Sequence, residues 1–499
     1  MASTSSSRSL PRPANRESFS IPSEFDLFFQ LIYMSAAASA GVSRGKLFQM
    51  ASALLRAPAE YFRRIHLLCE KLGYNYPSAC IVVGQKSRSE AMRTFLLRFA
   101  DALSSGHPEV NFLSEESEVQ REVYEKQSER DLASLTKWTD AYGAIMVSAA
   151  LIIIVNLTST MIYDLGTSII IVLVLIAILS SSGGAWVISR AAPSEPESFF
   201  RSDGSRKQRL ALLLAQITTP AAVLVCLLLA VLGVRLGWVL VIGGLFLLPL
   251  GILSMQAAKE VERKDKEIGP FLRSFGAMTV ATGTTLAEAL NQMDLSSFPA
   301  LLPDTQRLGW RLKAAMPPSL CWKKFATETG SRLIADTIRI FHDAIELGGD
   351  AEKVGSLCSQ FATTEVMIRA RRKVTASTFA NLTIVMHGAI GALMIIILEV
   401  IRNFNLMVTR ASAELQQQES LSSMQLPMLS FGSPMLGTLG TLTYAMVIVL
   451  AAINAYAIIA ADGGHILKAS FYLSILLALS GISFLIMPPF VASLLKVGG

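Results

Sequence analysis

The sequence predicts an all-α integral membrane fold: seven transmembrane helices with two repeated cytosolic helical-bundle domains. Three observations carry that expectation. The apolar share is 52% and the charged share 16%, where a soluble chain carries about 45–50% and about 25%. Mean hydropathy is +0.47, and it is partitioned, with residues 1–140 and 258–378 charged and the remainder drawn into long apolar runs. Finally, the two charged regions match one another at a fixed offset, Phe29 falling on Phe271 and Phe99 on Phe341.

Crossing about 30 Å of hydrocarbon takes about 20 predominantly apolar helical residues. Seven segments meet that length: 143–163, 168–189, 210–234, 236–257, 380–401, 438–460 and 470–491. Pro220, Pro249, Pro488 and Pro489 fall inside three of them. Membrane helices tolerate this because neighbours re-satisfy the freed carbonyls. Arg235 alone divides the third span from the fourth. Residues 1–20 are rich in Ser, Pro and Arg and lack the apolar run of about 7–15 residues that a secretory signal needs. They are expected to form a disordered cytosolic tail.

Lys and Arg in the connecting segments set orientation. With the N-terminus inside, only Arg235, Arg402, Arg410 and Lys496 of the 44 basic residues lie outside. The short 190–209 link alone carries Arg190, Arg201, Arg206, Lys207 and Arg209. The expectation is a multi-pass protein of the cytoplasmic membrane, N-terminus cytosolic and C-terminus external. Its order is a tail (1–20), a first cytosolic helical domain (21–141), four spans (142–257) and a second cytosolic helical domain (258–379). A fifth span (380–401), an external loop (402–437) and two closing spans (438–499) follow.

The repeat extends beyond single residues. Phe29, Tyr33 and Ser39–Ser43 align with Phe271, Phe275 and Ala281–Thr285, and the stretch 99–106 aligns with 341–348 at the same offset. After a slip of three, Tyr142-Gly143-Ala144-Ile145 matches His387-Gly388-Ala389-Ile390. Each unit reads as helical. Ile338, Phe341 and Ile345, then Val354, Leu357 and Phe361 beyond Gly348-Gly349, recur at steps of three and four. Gly41 and Gly283 stand between a helix and a following Ser43 or Thr285, which is the punctuation of an antiparallel helix pair. Thr285 with Glu288 reads as a capping box.

A helical domain that occurs twice, each time leading into a span, resembles the type II secretion system F domain family. One family string stands here as Thr282-Gly283-Thr284-Thr285-Leu286-Ala287-Glu288-Ala289-Leu290. The other is degenerate as Ile345-Glu346-Leu347-Gly348-Gly349-Asp350, and further decayed as Ser104-Ser105-Gly106-His107 in the first copy. Seven spans with a four-span insert are similar to the archaeal branch of type IV filament platforms, whether of archaellum or adhesion pilus. The resemblance implies a platform coupling a cytosolic hexameric secretion ATPase to the insertion of pilin or archaellin subunits, as a homodimer or higher oligomer.

No catalytic, cofactor or metal set is expected. Ala40-Gly41-Val42-Ser43-Arg44-Gly45-Lys46-Leu47 departs from a phosphate-binding loop at both ends, needing Gly at 40 and Ser or Thr at 47. The five histidines have no ligand spacing, and the five cysteines form no C-x-x-C pair, reading as small buried hydrophobes. His387 and Glu399 fall in the fifth span. Glu399 lies within a turn of its boundary, and His387 is expected to bond one of Asn156, Asn381 or Asn454. The run Lys259–Glu267 alternates in sign and reads as a solvated face. The +6 net charge follows from the positive-inside bias and supports no nucleic-acid partner.

Candidate docking residues are Gly283, Thr285, Glu346, Gly348, Asp350, Arg369, Arg371, Arg372 and Lys373. The basic run suits anionic membrane lipid or acidic groups of a partner, and Glu346 and Asp350 suit basic ones. The competing class is a secondary transporter, whose repeats are built from spans around a polar mid-membrane site. Here the repeated mass is expected to be mostly cytosolic, and the spans are nearly free of charge.

Overall fold

The computed structural model describes residues 21–159, 166–193, 204–417 and 433–497. The expected tail, the middle of the 190–209 link and the 418–432 part of the expected external loop lie outside the described residues. Among the described residues the regular structure is helical, and seven helices are long and apolar enough to cross a membrane.

Six helices open the chain: α1 (Glu24–Ala38), α2 (Arg44–Ser52), α3 (Ala57–Leu72), α4 (Tyr76–Gln85), α5 (Glu90–Ser105) and α6 (Glu109–Ser159). Then come α7 (Gly166–Ala191), α8 (Arg206–Val231), α9 (Leu236–Thr282), α10 (Leu286–Gln292), α11 (Leu302–Lys313) and α12 (Pro318–Thr329). The chain continues as α13 (Arg332–Glu346), α14 (Ala351–Gln417), α15 (Ser433–Asp462) and α16 (Ala469–Val497). Arg235 sits at the start of α9, where the split between spans was expected. The 402–417 stretch, expected as loop, is a helical continuation of α14.

The repeat is structural. Helices α2, α4, α5 and α6 begin at 44, 76, 90 and 109, and α10, α12, α13 and α14 begin 242 positions later at 286, 318, 332 and 351. The extramembrane end of α9 takes the place of α1. Turns repeat as well: Gly41 and Gly283 are left-handed (φ +66° and +60°), as are Gly106 and Gly348. Gly73 corresponds to Ala315, whose φ of 56° is the positive value at a non-glycine among the described residues. A Cβ-bearing residue tolerates that region at a cost of about 1–2 kcal/mol, so the repeated turn overrides local preference there. Both α6 and α14 run without a break, so the three-residue slip has no loop to accommodate it.

The chain forms two compact units. One comprises 21–124 with 340–361, the other 125–339 with 362–497. In the first, Phe48, Phe62, Phe95 and Phe99 are fully buried and in ring contact. Phe28 stacks on Tyr124 and meets Phe361. The Arg56 guanidinium lies 4.3 Å over the Phe29 ring while pairing with Asp26 at 2.8 Å. In this unit the Gln360 amide donates to Glu118, one repeat away.

The second unit contains the membrane bundle. Gly237, Gly244 and Gly251 recur every seven residues along α9 and face α16. A Cβ on Gly251 would lie 2.5 Å from the Phe471 Cα. Small residues allow such close approach, the usual source of helix attraction in lipid. Beyond the membrane, α9 organises the second domain. Lys264 and Asp265 are buried, which corrects the expected solvated face. Lys264 pairs with Asp304 at 2.9 Å and Glu260 at 3.1 Å. The Glu267 carboxylate accepts the Ala300 and Leu301 backbone N–H groups at the start of α11. A mixed-charge run was read as solvated because periodicity alone does not show that another polar surface packs on it.

Of the five cysteines, expected as small buried hydrophobes, Cys80, Cys321 and Cys358 are buried and Cys69 and Cys226 are half-buried.

Candidate functional site

Within the second unit, α9, α14 and the short α15–α16 turn meet where apolar helices give way to charge. They enclose a cavity of about 190 Å³ whose walls include Lys259, Glu262, Asp265, Arg369, Lys373 and Lys468. Helical spacing explains the convergence, since Glu262, Asp265 and Lys266 lie within one turn of α9, and Arg369 and Lys373 one turn apart on α14.

Charges are paired around this collar. Asp265 accepts from Arg369 at 3.0 Å and from the Ser331 hydroxyl. Glu262 pairs with Lys266 at 3.0 Å and with Lys373. Burial pushes the Glu262 carboxyl up, but the two ammoniums outweigh it and hold the group below the ordinary carboxylate range. Glu260 is held low in the same way by Lys264 and Lys207, against its burial. Lys468 pairs with Asp462. His465 caps the turn, accepting the Leu467 N–H at 3.2 Å, and burial lowers its pKa.

Arg372 points inward. It is 6% exposed and donates to three carbonyls: Ala461 at 3.0 Å, Ala460 at 3.2 Å and Pro193 at 2.9 Å. Those oxygens lie at or just past the C-terminal ends of α15 and α7, which carry partial negative charge and unpaired carbonyls. The guanidinium fork thus ties three helices together. Gly463, left-handed at φ +76°, makes room: a Cβ there would fall 2.4 Å from the Arg372 Cζ.

The candidate residues separate by role. Arg371 and Lys373 keep about half their side-chain surface exposed, each with a carboxylate partner, Glu129 and Glu262. Gly283 is the left-handed cap of α9, and the Thr285 hydroxyl accepts the Glu288 N–H to start α10. The returning half of the expected box is replaced by a Gln292 bond to Glu288. Glu346, Gly348 and Asp350 belong to the first unit. Asp350 caps α14 through the Glu352 and Lys353 N–H groups, while Glu346 is exposed and lies 3.6 Å from His342. His342, Asp343 and Glu346 place ligand-type atoms within 4.8 Å of one another, and the Tyr33 hydroxyl donates to Asp343 at 2.8 Å. The Ala40–Leu47 string is a helix junction, with Gly41 left-handed and Ser43 capping α2.

Sequence reasoning missed Asp462, His465 and Lys468. The available signal was a polar insertion, Asp462-Gly463-Gly464-His465, between two long apolar runs.

Deeper in the bundle a polar chain crosses four helices. The Tyr142 hydroxyl donates to Asn454 Oδ1 at 2.7 Å, and Asn454 Nδ2 meets His387 Nδ1 at 3.2 Å. His387 Nε2 lies 2.9 Å from Ser480, whose hydroxyl donates to the Leu476 carbonyl. Since Ser480 uses its proton on Leu476, Nε2 must donate and Nδ1 accept. A neutral imidazole satisfies every member. Of the three asparagines considered for His387, the partner is Asn454. Glu399 pairs with Arg402 at 2.8 Å.

These elements define a multi-pass, all-α membrane protein whose helix starts recur at an interval of 242 residues. The chain is 25% identical over 352 residues, 67% of its length, to Flagella accessory protein J of Methanocaldococcus jannaschii. It is 23% identical over 455 residues, 88% of its length, to the protein of the same name from Methanococcus voltae. The matched regions span 61% and 79% of those relatives. No family model and no solved structure matches the chain.

Proposed function

We propose that the chain is the membrane platform of an archaeal type IV filament machine, an archaellum or related pilus, coupling a cytosolic secretion ATPase to subunit insertion. One observation carries the reading: a helical domain that continues directly into a span occurs twice, in a chain that aligns along 88% of its length with a flagella accessory protein. The platform itself carries out no ATP chemistry in this reading, because the Ala40–Leu47 string lacks the residues that hold phosphate and magnesium. In this reading the extramembrane domains face the cytosol, which the bias of Lys and Arg supports.

The docking surface is narrower than the sequence run. Arg371 and Lys373 are exposed enough to exchange their partners for acidic groups of the ATPase or for anionic lipid, with Thr285 as a further contact on the same unit; Glu346, on the first unit, is a separate candidate. Arg372 is occupied inside the bundle. The transporter reading gains no support, since the polar chain at depth is neutral and fully bonded.

Deleting the gene should leave filament subunits in the membrane and the cells without filaments. Bare cells should regain filaments with the wild-type gene, and normal filaments in the deletion strain would refute the platform reading. Surface labelling of cysteines placed at 418–432, with none at 258–378, tests the orientation separately.

A further inference from the structure

Helix α8 is anchored at its start and packs one stripe, including Ala211, Ala222 and Cys226, along α9, leaving its other faces bare. At its start, Ser205 and Gln208 form a reciprocal cap, and the Gln208 amide donates to the Gly330 carbonyl at 3.2 Å. Lys207 pairs with Glu260 at 3.1 Å. Beyond that anchor, only 6% of the most apolar 18-residue stretch is buried.

An apolar helix in lipid needs no cover, but this one carries Gln216. Its side chain is exposed and makes no hydrogen bond among the described residues. Seven residues beyond Arg209, it stands roughly 10 Å into the span, deeper than its short side chain can reach back to water. Pro220 compounds the deficit: it has no N–H to give the Gln216 carbonyl, the bond an ordinary residue at that position would supply. One turn thus presents an amide and an under-bonded carbonyl to hydrocarbon, where each unsatisfied group is costly. Thr219, on the same turn, spends its hydroxyl on Ala215.

We infer that α8 is a contact between two copies of this chain, with Gln216 of one copy hydrogen-bonded to Gln216 of the other. A carboxamide both donates and accepts, so two related by a two-fold axis satisfy each other, and isologous contacts are the commonest form of assembly. Depth selects the same occupant. Two copies inserted in the same orientation carry Gln216 at the same level, whereas another protein would need its own polar residue at that depth. Ile217 and Val223 flank the amide with exposed apolar surface, 66% and 56% accessible. The inference does not depend on the filament reading.

The test is co-purification of two differently tagged full-length copies from one membrane, with photo-crosslinking from position 217. Wild type should pull down its second copy, and the crosslink should yield a species of twice the chain mass. Gln216→Leu, which keeps the span apolar, should reduce recovery about eightfold or more, the effect expected for the two interhelical hydrogen bonds that a two-fold pair exchanges in lipid. Gln216→Asn should restore part of it. Undiminished recovery with Gln216→Leu would overturn the inference. So would crosslinks from position 217 to lipid alone or to a different protein.

Discussion

Arg371 and Glu129 stand 242 positions apart, one repeat length, and form an ion pair. The neighbouring Arg372, on the other side of α14, is buried against the ends of two other helices. Two consecutive arginines therefore answer to different physics.

Substitution should separate them. Arg372→Gln leaves the carbonyls of Ala460, Ala461 and Pro193 without their charged donor. Charge-assisted bonds contribute about 1.5–3 kcal/mol each, so thermal unfolding in detergent should show a fall of at least about 3 kcal/mol. Arg371→Ala should stay within about 1 kcal/mol of wild type, as exposed pairs do. Equal losses would mean that the three-helix tie is not held by Arg372.

The Asp265–Arg369 pair should behave as a unit. Arg369→Ala takes the cation from Asp265 and from Glu365, 3.8 Å from Arg369, whereas Asp265→Ala leaves Arg369 with Glu365, so the cycle isolates the Asp265–Arg369 part. A double-mutant cycle on detergent-solubilised protein should give a coupling of about 1–3 kcal/mol. Additive losses would show that Asp265 acts mainly through Ser331.

Acid should loosen the collar. Glu260 and Glu262 titrate below their ordinary value of 4.5, so each contributes stability that is present above about pH 4.5. That stability is lost as pH falls through the lowered folded values. Unfolding followed from pH 6 to pH 3 should show wild type declining below pH 4.5. A Glu260→Gln/Glu262→Gln variant should be less stable at pH 6 and flatter with pH. Identical slopes would place the acid response elsewhere.

The polar chain offers a fourth measurement. Asn454→Leu deprives both Tyr142 and His387 of their partner, and stranding buried polar groups costs about 1–3 kcal/mol each. Further replacing Tyr142 by Phe and His387 by Leu should recover part of the loss. A triple variant less stable than the single one would show that the chain contributes more than satisfied bonds.

Much of the architecture was legible because membrane length and turn chemistry leave few choices. Arg235 was enough to divide two spans, since a charge with Gly233 before it cannot continue an apolar helix cheaply. Gly41 and Gly283 were readable as caps because a left-handed residue ends a helix whatever packs around it. The collar was not legible. Lys264 and Asp265 look like solvent-facing charges until Asp304 and Arg369, distant in sequence, are folded onto them. Arg372 could not be told from Arg371 by composition, because the side on which α14 meets other helices is decided by tertiary packing. Glu346 and Asp350 read as one acidic turn, yet Asp350 is committed to starting α14 while Glu346 remains exposed.

Helices α9 and α14 pass from extramembrane domain into the apolar zone without a loop. At about 1.5 Å per residue, the 67 residues of α14 extend roughly 100 Å, and the 47 of α9 roughly 70 Å. A flexible joint would let a push on the domain die out as local wobble. Stiff rods instead deliver it as tilt at the far end, and a load at the far end is felt equally at the near one. Wherever a pair of glycines is inserted into α14 between Lys373 and Ala380, the two halves become free to bend independently, and force applied to one no longer reaches the other.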